Sequence, residues 1–271
     1  MFNVNSSFYK FLMALQAKLH TEFDLKALSA NACMMHADGM PSIVYYLCSA
    51  KERIPVDSAT RCIHIDEDRW IAQPDLLLNR IAALAGLAQR VHARSTVVAR
   101  IDKHMAMVFQ QNHHLQVALP GKYRYGLFRE GELVSIAVFS GGRKMDDKPA
   151  DYRSFELLRF CHKQGIHVVG GFSKLIDAFL QEFDPGDIMT YADKDWTDGS
   201  SYRKTGFVIV GETAPQAFWV DTSTMTRYYE PELPDEIKGI PAEERKKRGY
   251  VPVYNSGSIK LIKTYKHNPV V

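Results

Sequence analysis

A pair of glycines followed by an amphipathic segment constrains the fold of this chain more than any other feature. Residues 155–161 are apolar and β-prone, and Gly170 and Gly171 then mark a tight turn. From residue 172 the apolar side chains recur at helical spacing and form one face: Phe172, Leu175, Ile176, Phe179, Leu180 and Phe183. Glycines allow close approach of a ligand to the backbone, and the first amides of a helix point toward it. The stretch therefore predicts a strand, a turn and a helix with the physics of a phosphate or pyrophosphate cradle.

The segments on either side of this stretch alternate between strand and helix signals. Strands are predicted at 93–101, 188–191 and 207–210, and a helical turn at 200–205. The sequence RYGLFREGELVSIAVFS predicts a hairpin that turns at Glu130 and Gly131. Residues 102–111 predict a helix capped by Asp102, with Met105, Val108 and Phe109 facing inward.

The first part of the chain carries weaker signals. Residues 8–19 predict a helix, the sequences SIVYYLCSA and RCIHIDED predict strands, and residues 75–87 predict a helix with Pro74 in its first turn and Gly86 near its end. Asp66, Glu67 and Asp68 follow the second of these strands. Two interpretations stay open for these acids: carboxylate ligands of a hard metal ion, or a solvated turn or helix N-terminus.

Composition indicates a soluble globular protein and excludes several other classes. Of 271 residues, 46% are hydrophobic and 24% are charged, and no apolar run approaches the roughly 18 residues of a membrane span. We therefore expect no membrane partner, and we interpret the N-terminus as an amphipathic helix, not a signal peptide. The four cysteines are scattered without CxxC spacing, which favours reduced thiols and a cytoplasmic location. The net charge of +3 is weak evidence for a nucleic-acid partner.

Several segments together resemble a known family. The ELLRF strand, the glycine turn that leads into a helix, and the sequence SSYRKTGFVIVGE are similar to the GNAT acyl-CoA transferases, over roughly residues 97–220. A narrower resemblance joins HVVGGFSKLIDAF and TYADKDWTDGSSYRKTGF to the GNAT-like domain of phage-type proteins related to Vsr-like homing endonucleases, and also to Mom-type DNA modification proteins. This resemblance implies that residues 1–70 are a reduced remnant of a nuclease domain.

The resemblance implies a fold and a division of the chain. The fold is α/β, with a GNAT-like mixed central sheet flanked by helices and a small diverged N-terminal α/β region. The segments are an N-terminal region with a linker helix at 1–94, the GNAT-like domain at 95–225, and a charged C-terminal extension with short closing strands at 226–271.

The resemblance also implies a cofactor, acetyl-CoA or another acyl-CoA, and a set of site residues. Tyr202 is the expected acid for the departing thiolate, Glu156 the base, and Asp193 a further catalytic residue near the acceptor. The residues expected to bind the cofactor are Arg159, Val169, Gly170, Gly171, Phe172 and Ser173. His113, His114 and Arg143 are the expected contacts of the acceptor, and no metal is expected.

One departure from the family pattern concerns the glycine turn. The family has Arg or Gln first, Gly fourth, and Gly or Ala sixth, whereas this chain has His167, Gly170 and Phe172. A phenylalanine where the backbone admits a pyrophosphate argues against binding of acyl-CoA.

Three functions are therefore compatible with the sequence. The first is acyl-CoA-dependent transfer to an amine, small or macromolecular. The second is binding or base modification of DNA, with the basic residues 245–248 on the nucleic-acid backbone. The third is a protein that uses the cleft to dock a partner without catalysis.

Overall fold

The computed structural model describes residues 6–48, 52–56 and 61–265. Its strands, in chain order, are β1 (Asp24–Ser29), β2 (Ala32–His36), β3 (Ser42–Tyr46), β4 (Cys62–Asp66), β5 (Gln89–His92), β6 (Val97–Arg100), β7 (Tyr123–Arg129), β8 (Glu132–Phe139), β9 (Ser154–His162), β10 (Ile166–Val169), β11 (Asp187–Asp193), β12 (Val208–Glu212), β13 (Ala217–Asp221), β14 (Thr226–Tyr228), β15 (Tyr250–Tyr254) and β16 (Ser258–Thr264). The helices are α1 (Ser7–Leu19), α2 (Glu67–Ala72), α3 (Pro74–Leu84), α4 (Lys103–His113), α5 (Gly171–Glu182), α6 (Ser200–Arg203) and α7 (Ala242–Lys247).

The chain folds into two compact units, and each unit is assembled from three separate segments. The first unit contains Met1–Ala85, Asp193–Asp198 and Thr213–Ser258, and the second contains Gly86–Ala192, Gly199–Glu212 and Ile259–Val271. The three consecutive segments predicted from the sequence do not coincide with these units. Periodicity along a chain identifies elements, but it carries no information about which distant segments pack together.

The first unit contains two sheets. In the larger sheet the strand order is β1-β2-β3-β4, antiparallel except for the parallel pair of β3 and β4. Every residue of β3 is buried, which explains why SIVYY is an unbroken apolar run. The smaller sheet, β14-β13-β15, belongs to the same unit, so the charged C-terminal residues form part of a core.

Arginines partner two of the three acids that follow β4. Asp66 is buried and accepts hydrogen bonds from Arg53 Nη2 at 3.0 Å and from Arg227 Nη2 at 2.7 Å, and Asp68 accepts from Arg227 Nε at 2.8 Å. Helix α2 begins at Glu67, so the helix N-terminus interpretation is confirmed, but the solvated and metal interpretations of Asp66 and Asp68 are wrong. Within the described residues no group of three or more His, Cys, Asp or Glu could hold a metal ion.

The second unit is built around a seven-stranded mixed sheet. Its order is β12-β16-β11-β9-β8-β7-β6, with antiparallel pairs from β6 to β9 and a parallel pair of β9 and β11. Helix α5 packs on one face through Leu175 and Phe179, and α4 covers the other face through Ala106 and Phe109. The predicted mixed central sheet flanked by helices is therefore confirmed.

Strands β9 and β11 diverge after a short parallel contact. They pair only from Ser154 to Glu156, opposite Asp187 to Met189. At the next position the Thr190 hydroxyl donates to the Leu157 carbonyl at 3.0 Å. A register shift in β9 then leaves Leu158 without a partner on β8, and such bulges bend a strand. Toward their carboxyl ends the two strands therefore share no ladder, and this unpaired interval is called the gap below.

Several local predictions are confirmed, and two are wrong. Asp102 caps α4, with its Oδ1 accepting from Met105 N at 2.7 Å, and the hairpin turns at Glu130 and Gly131. In α4, however, Met105 and Val108 are exposed, because the buried face is formed by Ala106, Phe109 and Gln110. The strand predicted at 93–101 is a 3-10 turn, Ala93–Ser95, followed by β6.

All four cysteines are free thiols. None of the helices in the described ranges has the length and apolar character needed to cross a bilayer.

Candidate functional site

The glycine turn lies between β10 and the first turn of α5, and its Phe172 contacts Phe160 in the carboxyl-terminal half of β9. Gly170 has φ 76°, a left-handed conformation that favours glycine, and a Cβ there would meet only the Ala93 Cβ at 3.6 Å. A Cβ on Gly171 would lie 3.0 Å from Val168 and 3.3 Å from Leu127, so close packing requires this glycine. The space over Gly170 is open, and the turn fits a phosphate on the amides of Gly171, Phe172 and Ser173.

Phe172 turns its ring into a cluster of aromatic side chains. Ring centroids lie 5.0 Å from Phe160, 5.4 Å from Tyr202 and 5.9 Å from Phe207. The phenyl group therefore packs against the second unit's own core and not over the amides of the turn. This geometry removes the steric argument that the sequence raised against a pyrophosphate at this position.

Tyr202 lies in α6, which Gly199 introduces with φ 76°. Its ring packs edge-on against Phe172 and Phe207, and its carbonyl accepts from Thr205 Oγ1 at 2.7 Å. Both ring contacts belong to the core on the α5 face of the sheet. The side chain is partly exposed beside the aromatic cluster.

Glu156 occupies the last position of β9 that is paired with β11. Its neighbours Phe155 and Leu157 both pack into the α5-side core, so strand alternation directs Glu156 to the α4 face. Burial raises the pKa of Glu156, while Arg159, Arg143 and Lys260 act in the opposite direction. A carboxylate with a raised pKa is suited to accept a proton.

The other predicted residues separate into two groups. Arg143 and Arg159 lie close enough to Glu156 to influence its pKa; Arg159 also donates to Val117 O at 2.9 Å. His113 and His114 accept hydrogen bonds from the backbone of Gln164 and Gln116, at 3.4 and 3.1 Å. Burial is the main cause of a lowered His113 pKa.

The remaining predicted site residues are Asp193, Val169 and Ser173. The Asp193 carboxylate accepts from the backbone N–H of Asp195 at 2.9 Å, and Asp193 belongs to the first unit. Val169 pairs with His92 in a two-stranded ladder, and Ser173 is exposed in the first turn of α5. The carboxylate of Asp193 thus shapes a turn in the other unit.

Sequence reasoning missed two features of this region. One is Thr190, whose hydroxyl ends the pairing of β9 and β11. The other is the parallel ladder of β5 and β10, beside the glycine turn. Neither feature has a local signal in the sequence, because each depends on a partner far away in the chain.

Comparisons with known proteins add the following. No protein-family model matches the chain, and no curated protein sequence matches it. Among solved structures, the chain is similar to Ard1 from Thermoplasma volcanium, with 14% identity, TM-score 0.36, and coverage of 64% of this chain and 99% of that one. It is also similar to a GNAT family acetyltransferase from Elizabethkingia anophelis with acetyl-CoA bound, with 12% identity, TM-score 0.36, and coverage of 63% and 99%.

A third similar structure is a ribosomal-protein alanine N-acetyltransferase from Escherichia coli, with 10% identity, TM-score 0.37, and coverage of 65% and 99%.

Proposed function

We propose that the second unit transfers an acyl group from an acyl-coenzyme A to an amine, and that the gap between β9 and β11 binds the thioester arm. The observation that carries this proposal is the short pairing of the two strands, which ends at Glu156 and Met189. Beyond that point two strand edges face each other without a shared ladder. Backbone N–H and C=O groups need partners, and an extended arm with its own amides supplies them.

The turn into α5 would hold the diphosphate of the same molecule. The amides of Gly171, Phe172 and Ser173 stand at the start of a helix of 12 residues, where the backbone dipoles favour an anion. When bound, acyl-coenzyme A supplies an activated acyl group. The residues of this chain supply orientation and proton transfer.

Two residues on opposite faces of the sheet would transfer the protons of the reaction. Glu156, on the α4 face, would accept a proton from the attacking amine, and its raised pKa suits that role. Tyr202, on the α5 face, would donate its hydroxyl proton to the departing sulfur. The acceptor then enters from the side of Arg143 and Arg159, away from the aromatic cluster.

Two substitutions at Ser173 test cofactor binding by calorimetric titration with acetyl-CoA and CoA. Ser173→Glu places a carboxylate beside the amides of the turn, and we expect affinity to fall at least about tenfold through charge repulsion. An acid in the first turn of a helix stabilises it, so a folding defect would not explain the loss. The matched control Ser173→Gln should bind nearly as tightly as the natural protein. Absence of binding by the natural protein would overturn the proposal.

Nucleic acid is less well supported as a partner. The basic residues that suggested it are each paired with a carboxylate: Arg245 with Glu230, Lys246 with Glu243, and Lys247 and Arg248 with Glu244. Arg245 is also buried. A phosphate backbone would compete with these pairs, so we propose a small-molecule or protein amine as the acceptor in preference to DNA.

A further inference from the structure

The parallel ladder of β5 and β10 is formed by two stretches of the chain that lack acidic residues. Residues 76–101 and 157–176 contain no Asp or Glu, and they supply both strands, the 3-10 turn Ala93–Ser95 and the first turn of α5. Two of the cations in these stretches have carboxylate partners in the second unit, Arg100 with Glu182 and Lys163 with Glu132.

The ladder has a buried face and an exposed face. Val91 pairs with Val168, and both are buried. Because side chains alternate along a strand, the neighbouring pairs point to the other face. There Arg90 lies opposite His167, and His92 lies opposite Val169; Arg90, His92 and His167 are all exposed.

The residue opposite Arg90 therefore carries no compensating negative charge. Burial, and then the charge of Arg90, lower the pKa of His167. Throughout the described ranges no carboxylate forms an ion pair with Arg90 or Arg94. Exposed guanidinium groups without a carboxylate partner can donate charge-assisted hydrogen bonds to an anion.

The ladder is joined to the glycine turn. Ala93, one residue before Arg94, lies beside Gly170. Lys174 Nζ donates to the Ala93 carbonyl at 2.9 Å and to the Thr96 carbonyl, which fastens the 3-10 turn to α5. Arg94 is exposed on that turn. Arg94 is thus held close to the amides proposed to bind a diphosphate, and Arg90 lies four residues before it at the start of the same segment.

We propose that Arg90, Arg94 and His167 form a second phosphate site, which binds the phosphomonoester of a 3′-phosphorylated adenosine nucleotide. Such a group lies one ribose away from the diphosphate in coenzyme A. The inference rests on the proposed function, because it uses the same ligand. It adds a selectivity: the site favours the 3′-phosphorylated cofactor over the form without that phosphate.

Calorimetric titrations with coenzyme A and with dephospho-coenzyme A test this inference. We expect the natural protein to bind coenzyme A at least about tenfold more tightly, from charge-assisted hydrogen bonds to the extra phosphate. The double variant Arg90→Gln/Arg94→Gln should lose that preference and bind both ligands with the affinity of the dephosphorylated form. These residues are exposed, so the fold should persist. Arg129→Gln, at the β7–β8 hairpin, is the matched control and should keep the preference.

The outcomes separate this inference from the function on which it rests. Equal affinity of the natural protein for both ligands would overturn the second phosphate site and leave the acyl-coenzyme A proposal intact. If the double variant still prefers coenzyme A over dephospho-coenzyme A, the second phosphate site is likewise overturned and the acyl-coenzyme A proposal is left intact. Absence of binding of either ligand would overturn the proposed function, and the second site with it.

Discussion

At the scale of single residues, Tyr202 distinguishes an enzyme from a protein that only binds the cofactor. Removing its hydroxyl in Tyr202→Phe keeps the ring contacts with Phe172 and Phe207. Loss of a general acid typically costs about 10²- to 10⁴-fold, so we expect turnover to fall by at least about 100-fold. The dissociation constant for coenzyme A should change less than about threefold. Steady-state release of thiol and calorimetry measure the two quantities; unchanged turnover would remove Tyr202 from the reaction.

The residues of the turn were predictable, but the direction of one side chain was not. Gly170 and Gly171 are recognisable because only glycine suits a positive φ and so close a packing distance. Phe172 follows them in the sequence, and its position suggests a clash with a ligand. Where its ring points depends on Phe160, Tyr202 and Phe207, which come from three other elements. Local sequence does not contain that information.

At the scale of elements, α7 shows how a run of basic residues becomes part of a core. The Arg245 guanidinium lies over the Trp219 ring, 4.7 Å from its centroid. It donates to Glu230 at 2.8 Å and to the Ile237 carbonyl at 3.1 Å. Lys247, two residues later, is largely exposed, and its only ion pair in the described part of the chain is with Glu244 at 3.7 Å.

Two alanine variants in α7 should differ in their effect on stability. We expect Arg245→Ala to lower the free energy of unfolding by about 2 kcal/mol, because it removes one of the two donors to Glu230, the side-chain donor to the Ile237 carbonyl and the packing on Trp219. Lys247→Ala should change it by less than about 0.5 kcal/mol. Urea denaturation of both variants measures the difference. Equal losses would mean that the contacts of Arg245 contribute little.

The long elements could be predicted from the sequence, whereas the short ladder of β5 and β10 could not. Strand β9 and helix α5 were predicted within a few residues, because each carries a long apolar period. Strands β5 and β10 have four residues each and one buried position each. So short a pattern has no detectable period, and each strand is defined only by a partner far away in the sequence.

At the scale of the whole molecule, His162 should couple folding of the second unit to pH. Its Nδ1 lies 3.0 Å from Ser135 Oγ, which in turn donates to the Cys161 carbonyl, so the ring donates to the hydroxyl. Burial, and then His167, lower the pKa of His162 to about 3. The unfolded chain takes up this proton near pH 6.5 and the folded chain does not, so acid favours unfolding.

The variant His162→Asn keeps an N–H donor for Ser135 but cannot titrate. Between pH 7 and pH 5 the natural protein should lose about 2 kcal/mol more unfolding free energy than this variant. Denaturant titrations at the two pH values measure both losses. Parallel losses would show that His162 is protonated in the folded protein at pH 5.

The pairing of Asp66 with Arg53 and Arg227 has a consequence for the order of events during synthesis. Arg53 leaves the ribosome before Asp66, but Arg227 follows Asp66 by 161 residues. Until Arg227 is synthesised, Asp66 has only one of its two arginine partners, and the sheet of β13, β14 and β15 in the first unit cannot form. The second unit likewise waits for β16. Neither unit therefore corresponds to a contiguous piece of the gene, and each can complete its folding only after its last strand, β15 or β16, has been synthesised.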